Sequence, residues 1–179
     1  PRTGEIMKGH VSLGSLRIRQ DFLIAQALQA PYKNNTVNDD FALQMALARI
    51  RQLAAHEIGH TLGFAHNFAA STNGRASVMD YPHPKFTIKD SEIDFSDAYD
   101  TKIGAWDKVI VAYSYQDFTK DKNELEALNL ILENAFASGL KYLSDSDARP
   151  SGSASASAHL WDNGGNIHDE LYTLLKVRK

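Results

Sequence analysis

The chain has 179 residues, 43% of them hydrophobic and 23% charged, with a net charge of −3 and a pI near 6.2. That length suits one domain with a proper core, and the slight acidity excludes the basic footprint of a nucleic-acid binder. No apolar run is long enough for a membrane-spanning helix, and the absence of cysteine excludes disulfides and thiolate metal ligands.

The chain opens Pro1-Arg2-Thr3, with neither an initiator methionine nor a signal peptide, as expected of a piece of a longer chain with other domains. Within residues 1–14, Glu5 to Lys8 and His10 to Leu13 alternate polar with apolar, which predicts one bent strand or a short hairpin. Leu16, Phe22, Leu23, Ala27 and Leu28 recur at helical spacing from Ser15 to Ala30, and Pro31 stops that helix. After a polar loop, Asn38, Asp39 and Asp40 offer N-caps for a long helix from Phe41 to Leu62. Its predicted apolar side runs through Leu43, Leu47, Ile50, Leu53, Ala54 and Ile58.

Residues Asn67 to Ser77 read as loop, and Met79 to Pro84 as a stiff, proline-bearing segment. An extended piece fits Phe86 to Phe95. Ile103, Trp106, Val109, Ile110 and Tyr113 define a helix over Thr101 to Tyr115. Asp121 and Glu124 form a capping box for a helix reaching Ser138 and closed by Gly139. The small-residue tract at 151–158 reads as a flexible loop, and Asn166 caps a last helix through Leu171, Leu174 and Leu175. The balance is α+β: predominantly helical, with a small N-terminal sheet portion, in a single domain over residues 1–179.

Chemistry concentrates in residues 56–66, His-Glu-Ile-Gly-His-Thr-Leu-Gly-Phe-Ala-His. His56 and His60 stand four apart, one turn apart on one helix face, so both imidazoles can reach one metal ion. Glu57 places a carboxylate where it can act on a metal-bound water without being a ligand. Gly63 lets the chain leave the helix through a left-handed residue, which returns His66 as a third nitrogen ligand. Three protein ligands leave one tetrahedral position open, the arrangement of a catalytic zinc ion. A bare H-E-x-x-H arises by chance in roughly one chain in fifty of this length, and the added Gly and His lower that about 400-fold.

The pattern H-E-x-x-H-x-x-G-x-x-H resembles the long motif of the metzincin clan of zinc peptidases. Ser77-Val78-Met79-Asp80-Tyr81-Pro82 resembles the methionine turn that these enzymes place beneath the zinc, with Met79 as an apolar floor rather than a ligand. Tyr81 follows Met79 by two, the spacing of the tyrosine that ligates zinc and then holds the oxyanion in the astacin-like and serralysin-like branches. Packing of Tyr81 on Pro82 or Pro84 is the alternative. Asn67 departs from those branches: after the third histidine astacins carry Glu, matrixins usually Ser and serralysins Pro.

The opening segment, His66-Asn67-Phe68, the methionine turn, Asp147 to Pro150 and His159 to Asn163 together resemble a family of large bacterial zinc-dependent peptidases, the met-zincin family. The resemblance implies a zincin fold and a zinc-dependent endopeptidase acting on peptide or protein substrates. Its members are commonly exported, which implies a periplasmic or secreted location. The implied mechanism uses one zinc ion on His56, His60 and His66, whose bound water is activated by Glu57, with Tyr81 assisting at the oxyanion. An edge strand at His10, Val11, Ser12 and Leu13 would pair with an extended substrate; an interior strand is the alternative. The competing readings are a zinc-stabilised pseudo-peptidase and a binding module of a larger protein, and retention of Glu57 argues against the former.

The remaining histidines, His10, His83, His159 and His168, read as ordinary polar residues, with His83 the one placed to border the site. His159, Asp162 and His168 could form a second metal site, but Trp161 and Gly164 favour a turn. The acidic run Asp90 to Asp100 could bind calcium, yet lacks the spacing of an EF-hand and reads better as a solvated loop.

Overall fold

A computed structural model describes residues 3–28, 39–90, 92–119, 123–148, 150–152 and 155–178. The elements are α1 (Ser15–Leu28), α2 (Asp39–Thr61), a 3₁₀ turn (Ala70–Asn73), β1 (Thr87–Lys89), β2 (Glu92–Asp94), α3 (Ala105–Tyr115), α4 (Glu124–Ala137), α5 (Asp145–Ala148) and α6 (Ile167–Val177). The described residues are therefore mostly helical with a small two-stranded antiparallel sheet, consistent with the expected α+β fold. The expected stop at Pro31, the loop after it, the caps at Asn38 and Asp121 and residues 153–154 of the small-residue tract lie outside the described residues. No described helix is long and apolar enough to cross a membrane.

The sheet lies not at the N-terminus but within Phe86 to Phe95, where an extended piece was expected. Residues 4–14 form no strand and are exposed almost throughout, so their alternation of polar and apolar side chains has no face to bury. The ladder lies at 87–94, pairing Thr87 with Asp94, Ile88 with Ile93 and Lys89 with Glu92. Asp90 takes a left-handed conformation (φ 53°) in the connecting turn. Backbone and side-chain hydrogen bonds from Ser96 hold the exposed Asp94 carboxyl below its usual range.

The chain divides into two compact units. The first comprises the described parts of 1–63, 83–102 and 166–178. Here α1 packs along α2, and α6 packs against β1. The core is Ala25, Ala42, Met45, Phe95, Ala98 and Tyr99, with Phe41 edge-on to Phe95 at 5.4 Å. The acidic run is thus only partly solvated, because Phe95, Ala98 and Tyr99 turn inward.

Two predicted helix faces shift for a polar reason. On α2, Leu43 and Ile58 are exposed, whereas Ala42, Met45, Ala46, Arg49, Gln52 and His56 form the buried side. On α1, Leu16 and Leu23 are exposed, and Asp21 is buried with Ala25. A charged network occupies the space between the two helices. Tyr99 Oη donates to Asp21 at 3.0 Å, Arg17 Nε lies 3.6 Å from the same carboxylate, and the Arg49 guanidinium lies over the Tyr99 ring and bonds Gln52. Burial and the Asp21 charge push the Tyr99 phenol well above its ordinary value. A buried carboxylate is tolerated where donors and cations surround it, and apolar periodicity cannot register such a face.

The second unit comprises the described parts of 64–82 and 103–165. Its core is Ala70, Ala76, Trp106 and Ala135, lined by Val109, Ile110 and Leu140. The segment read as a loop from Asn67 to Ser77 is instead deeply buried over 67–71. Its small side chains allow close approach, and the 3₁₀ turn Ala70–Asn73 satisfies part of its backbone. Gly139 ends α4 in a left-handed conformation (φ 88°), as expected, and its carbonyl accepts from Asn73 Nδ2 at 2.9 Å. The tract at 151–158 is closed by a bridge between Ser155 and Ala158, and Ala158 is buried.

Candidate metal centre

Helix α2 carries His56 and His60 in its last two turns, and their rings meet edge to face with centroids 4.7 Å apart. The two Nε2 atoms stand 3.1 Å apart. After Thr61 the helix closes through Leu62 N–H to the Ile58 carbonyl and Gly63 N–H to the His60 carbonyl. Gly63 has φ +87°, the left-handed conformation its position in the motif calls for. His66 follows, and one ligand nitrogen from each of His56, His60 and His66 can be chosen so that all lie within 4.8 Å of one another. Among the described residues these three form the group of metal-ligating side chains.

The donor set fits zinc. Tetrahedral ligands about 2.1 Å from a zinc ion stand roughly 3.4 Å apart, close to the separation of the His56 and His60 nitrogens. His66 Nδ1 is engaged by Asp145 Oδ2 at 2.6 Å, a contact of the kind that directs the other ring nitrogen of a ligating histidine to its metal. Glu57 is half-buried on the same helix, one residue beyond His56.

The methionine-bearing segment is fixed from two sides. Met79 is buried, and its carbonyl accepts from Asn67 N–H at 3.0 Å. Asp107, in the first turn of α3, accepts from Ser77 Oγ (2.6 Å), Val78 N–H (2.9 Å) and Gly104 N–H (2.6 Å). Ser77 Oγ in turn accepts from Met79 N–H at 3.0 Å. A Cβ on Gly104 would overlap the Ala76 carbonyl, which Trp106 N–H uses at 2.7 Å.

Tyr81 lies in an aromatic column. Its ring centroid is 4.8 Å from His66, 6.3 Å from Phe68 and 5.6 Å from Trp161, and its carbonyl accepts from Trp161 N–H at 2.9 Å. Trp161 (φ 64°) and Gly164 (φ 73°) are both left-handed, so this stretch is the turn expected for it. Burial pushes the neighbouring Asp80 carboxyl up to about 7, helped by Asp162 and opposed by hydrogen bonds from the Tyr81 and Ser71 amides.

The other expected participants have local partners. His10, Val11, Ser12 and Leu13 belong to the irregular opening segment, where His10 Nε2 contacts Ser12 Oγ at 3.0 Å, so the strand on which edge pairing rested is not formed. His83 has both ring nitrogens engaged, Nδ1 with the Pro84 carbonyl and Nε2 with Glu170 at 2.7 Å. His159 Nδ1 meets the Leu160 carbonyl, and His168 contributes its amide to the Asn166 cap at 3.0 Å.

Sequence reasoning did not find Asp145 or Asp107, and read Asn67 as a departure from other branches and as part of the family resemblance, not as a clamp. Their distant partners lie 79, 29 to 30 and 74 to 76 residues away, separations at which local spacing carries no signal.

No curated protein and no solved structure matches the chain. The sequence model of the Met-zincin family matches residues 38–179, which include the three histidines, Glu57 and the Met79 turn. The chain belongs to the Met-zincin family.

Proposed function

We propose that this protein is a zinc-dependent endopeptidase. The observation that carries the proposal is the convergence of His56, His60 and His66, one ligand nitrogen of each within 4.8 Å of the others, in a chain that keeps Glu57 next to the first of them. When bound, zinc supplies an acidified water and a positive pole for a carbonyl oxygen. Glu57 takes a proton from the attacking water and passes it to the departing amine, ending the cycle as it began. Tyr81 donates its phenolic hydrogen bond to the oxygen on which negative charge develops. Its column with His66 and Phe68 supports that role by fixing the ring beside a ligand. Met79, buried in a turn anchored by Asp107 and Asn67, supplies the apolar floor.

The test is a library of peptides incubated with the protein, with and without a zinc chelator, followed by readdition of zinc. Cleavage that the chelator abolishes and zinc restores is expected. Cleavage insensitive to the chelator, or no cleavage of any peptide by zinc-loaded protein, would overturn the proposal.

A further inference from the structure

The residue after the third histidine builds a second layer around the site. Asn67 is fully buried, and its side chain grips a distant segment at both ends: Nδ2 donates to the Lys141 carbonyl (2.9 Å) and Oδ1 accepts from Leu143 N–H (3.1 Å). Phe68 N–H adds a 2.8 Å bond to the Leu143 carbonyl. Two residues on, Asp145 opens the short helix α5, whose Asp147 and Ala148 amides bond the Ser144 carbonyl. The outcome is the 2.6 Å contact between Asp145 Oδ2 and His66 Nδ1.

We infer that Asp145, held in place by Asn67, is the positioning residue for His66, fixing its ring and its tautomer so that Nε2 is presented to the metal. A histidine can ligate through either nitrogen, and an unrestrained ring samples both tautomers and several rotations. A carboxylate on Nδ1–H removes that freedom before metal arrives and makes Nε2 a stronger donor. His56 and His60 have the helix to orient them, whereas His66 lies beyond its end and obtains orientation from this contact and from the Tyr81 and Phe68 rings. Asn67 thus does through a buried amide what a ligand-adjacent residue can do only if a partner segment is in reach.

The inference rests on the metal-site reading, and its test separates the two. Zinc affinity of the metal-free full chain is measured by competition with a chromophoric chelator for wild type, D145A, D145N, D147A and H66A. Tautomers of His66 are read by ¹⁵N-resolved NMR of the metal-free protein, with unfolding of the same samples as the control for structure. D145A is expected to bind zinc 10- to 100-fold more weakly, an order typical for loss of such a partner, with its metal-free unfolding midpoint unchanged. D145N keeps a neutral acceptor and should lose roughly threefold to tenfold. D147A, on the same short helix but turned to solvent, should match wild type. The Nδ1–H tautomer of His66 should dominate in wild type and lose its dominance in D145A. Equal zinc affinity in D145A and wild type, or an equal loss in D147A, would overturn the inference while leaving the metal site standing. Should D145A not fold, D145N decides in its place, and wild-type affinity there is the contrary result. If H66A binds zinc as tightly as wild type, the metal-site reading falls and this inference with it.

Discussion

Ser77 Oγ donates a 2.6 Å hydrogen bond to Asp107, and through it the turn that carries Met79 is tied to the first turn of α3. The same carboxylate accepts from Val78 and Gly104 amides, so one buried side chain satisfies three donors, those of Ser77 and Val78 buried and that of Gly104 partly so. Asp107→Ala would leave those donors without that acceptor. At about 1–3 kcal/mol for each buried group left unsatisfied, a loss of at least ~2 kcal/mol of folding stability is expected in denaturant titration. A loss below ~1 kcal/mol would show that the turn is held by other means.

Gly63 stands between His60 and His66 of the candidate metal centre. Among the described residues nothing lies within 4 Å of where its Cβ would be, so substitution there strains the backbone without creating a clash with them. Gly63→Ala should therefore cost about 1–2 kcal/mol, the penalty of a left-handed non-glycine residue, rather than the larger cost of overpacking. Thermal and denaturant unfolding of the metal-free protein measures it. A neutral effect would mean that the position tolerates a side chain at φ +87° or leaves that region.

Tyr81→Phe separates the two roles open to this residue. If the phenol assists the oxyanion, turnover should fall by about 100-fold with KM little changed, since a transition-state hydrogen bond is lost. The ring contacts with His66, Phe68 and Trp161 persist in the variant, so the aromatic column should be kept. Unchanged turnover would reduce Tyr81 to a packing residue.

Asp80 gives the metal-free protein a pH-dependent stability. Burial raises its carboxyl from 3.8 to about 7, so the folded chain holds a proton that the unfolded chain releases. The contribution is fully present below the unfolded value and is lost as pH rises through the folded one. Stability should decline between about pH 4 and 7, with a limiting slope on the order of 1.4 kcal/mol per pH unit from this group. Asp80→Asn should remove that component of the slope. Identical pH profiles for variant and wild type would assign the dependence elsewhere.

The parts of the molecule written in short-range spacing were legible. His56, His60, Gly63 and His66 sit within one helix end and its reversal, where i,i+4 geometry and a left-handed glycine follow from the chain itself. The cap at Asn166, which accepts from His168 N–H, and the closure of α4 by Gly139 are equally local. Alternation at 5–13 misled because a strand needs a partner, and none of the described residues pairs there. The burial of Asn67 to Ser71 was hidden by its composition, since Ala and Ser serve surface loops and tight cores alike. Asp21 and Arg49 shifted two helix faces because a satisfied polar network can replace apolar packing. Asp107 and Asp145 act across long separations, and a single aspartate offers no periodicity to read.

The central claim is that Glu57 works as a base beside zinc held by three histidines. The most direct measurement compares wild type with Glu57→Gln in the same assay, with zinc content determined on both proteins. Retention of one zinc per chain in both, with peptide cleavage by the variant reduced at least ~100-fold, is the predicted result. A zinc-loaded Glu57→Gln protein that cleaves as fast as wild type would contradict the account.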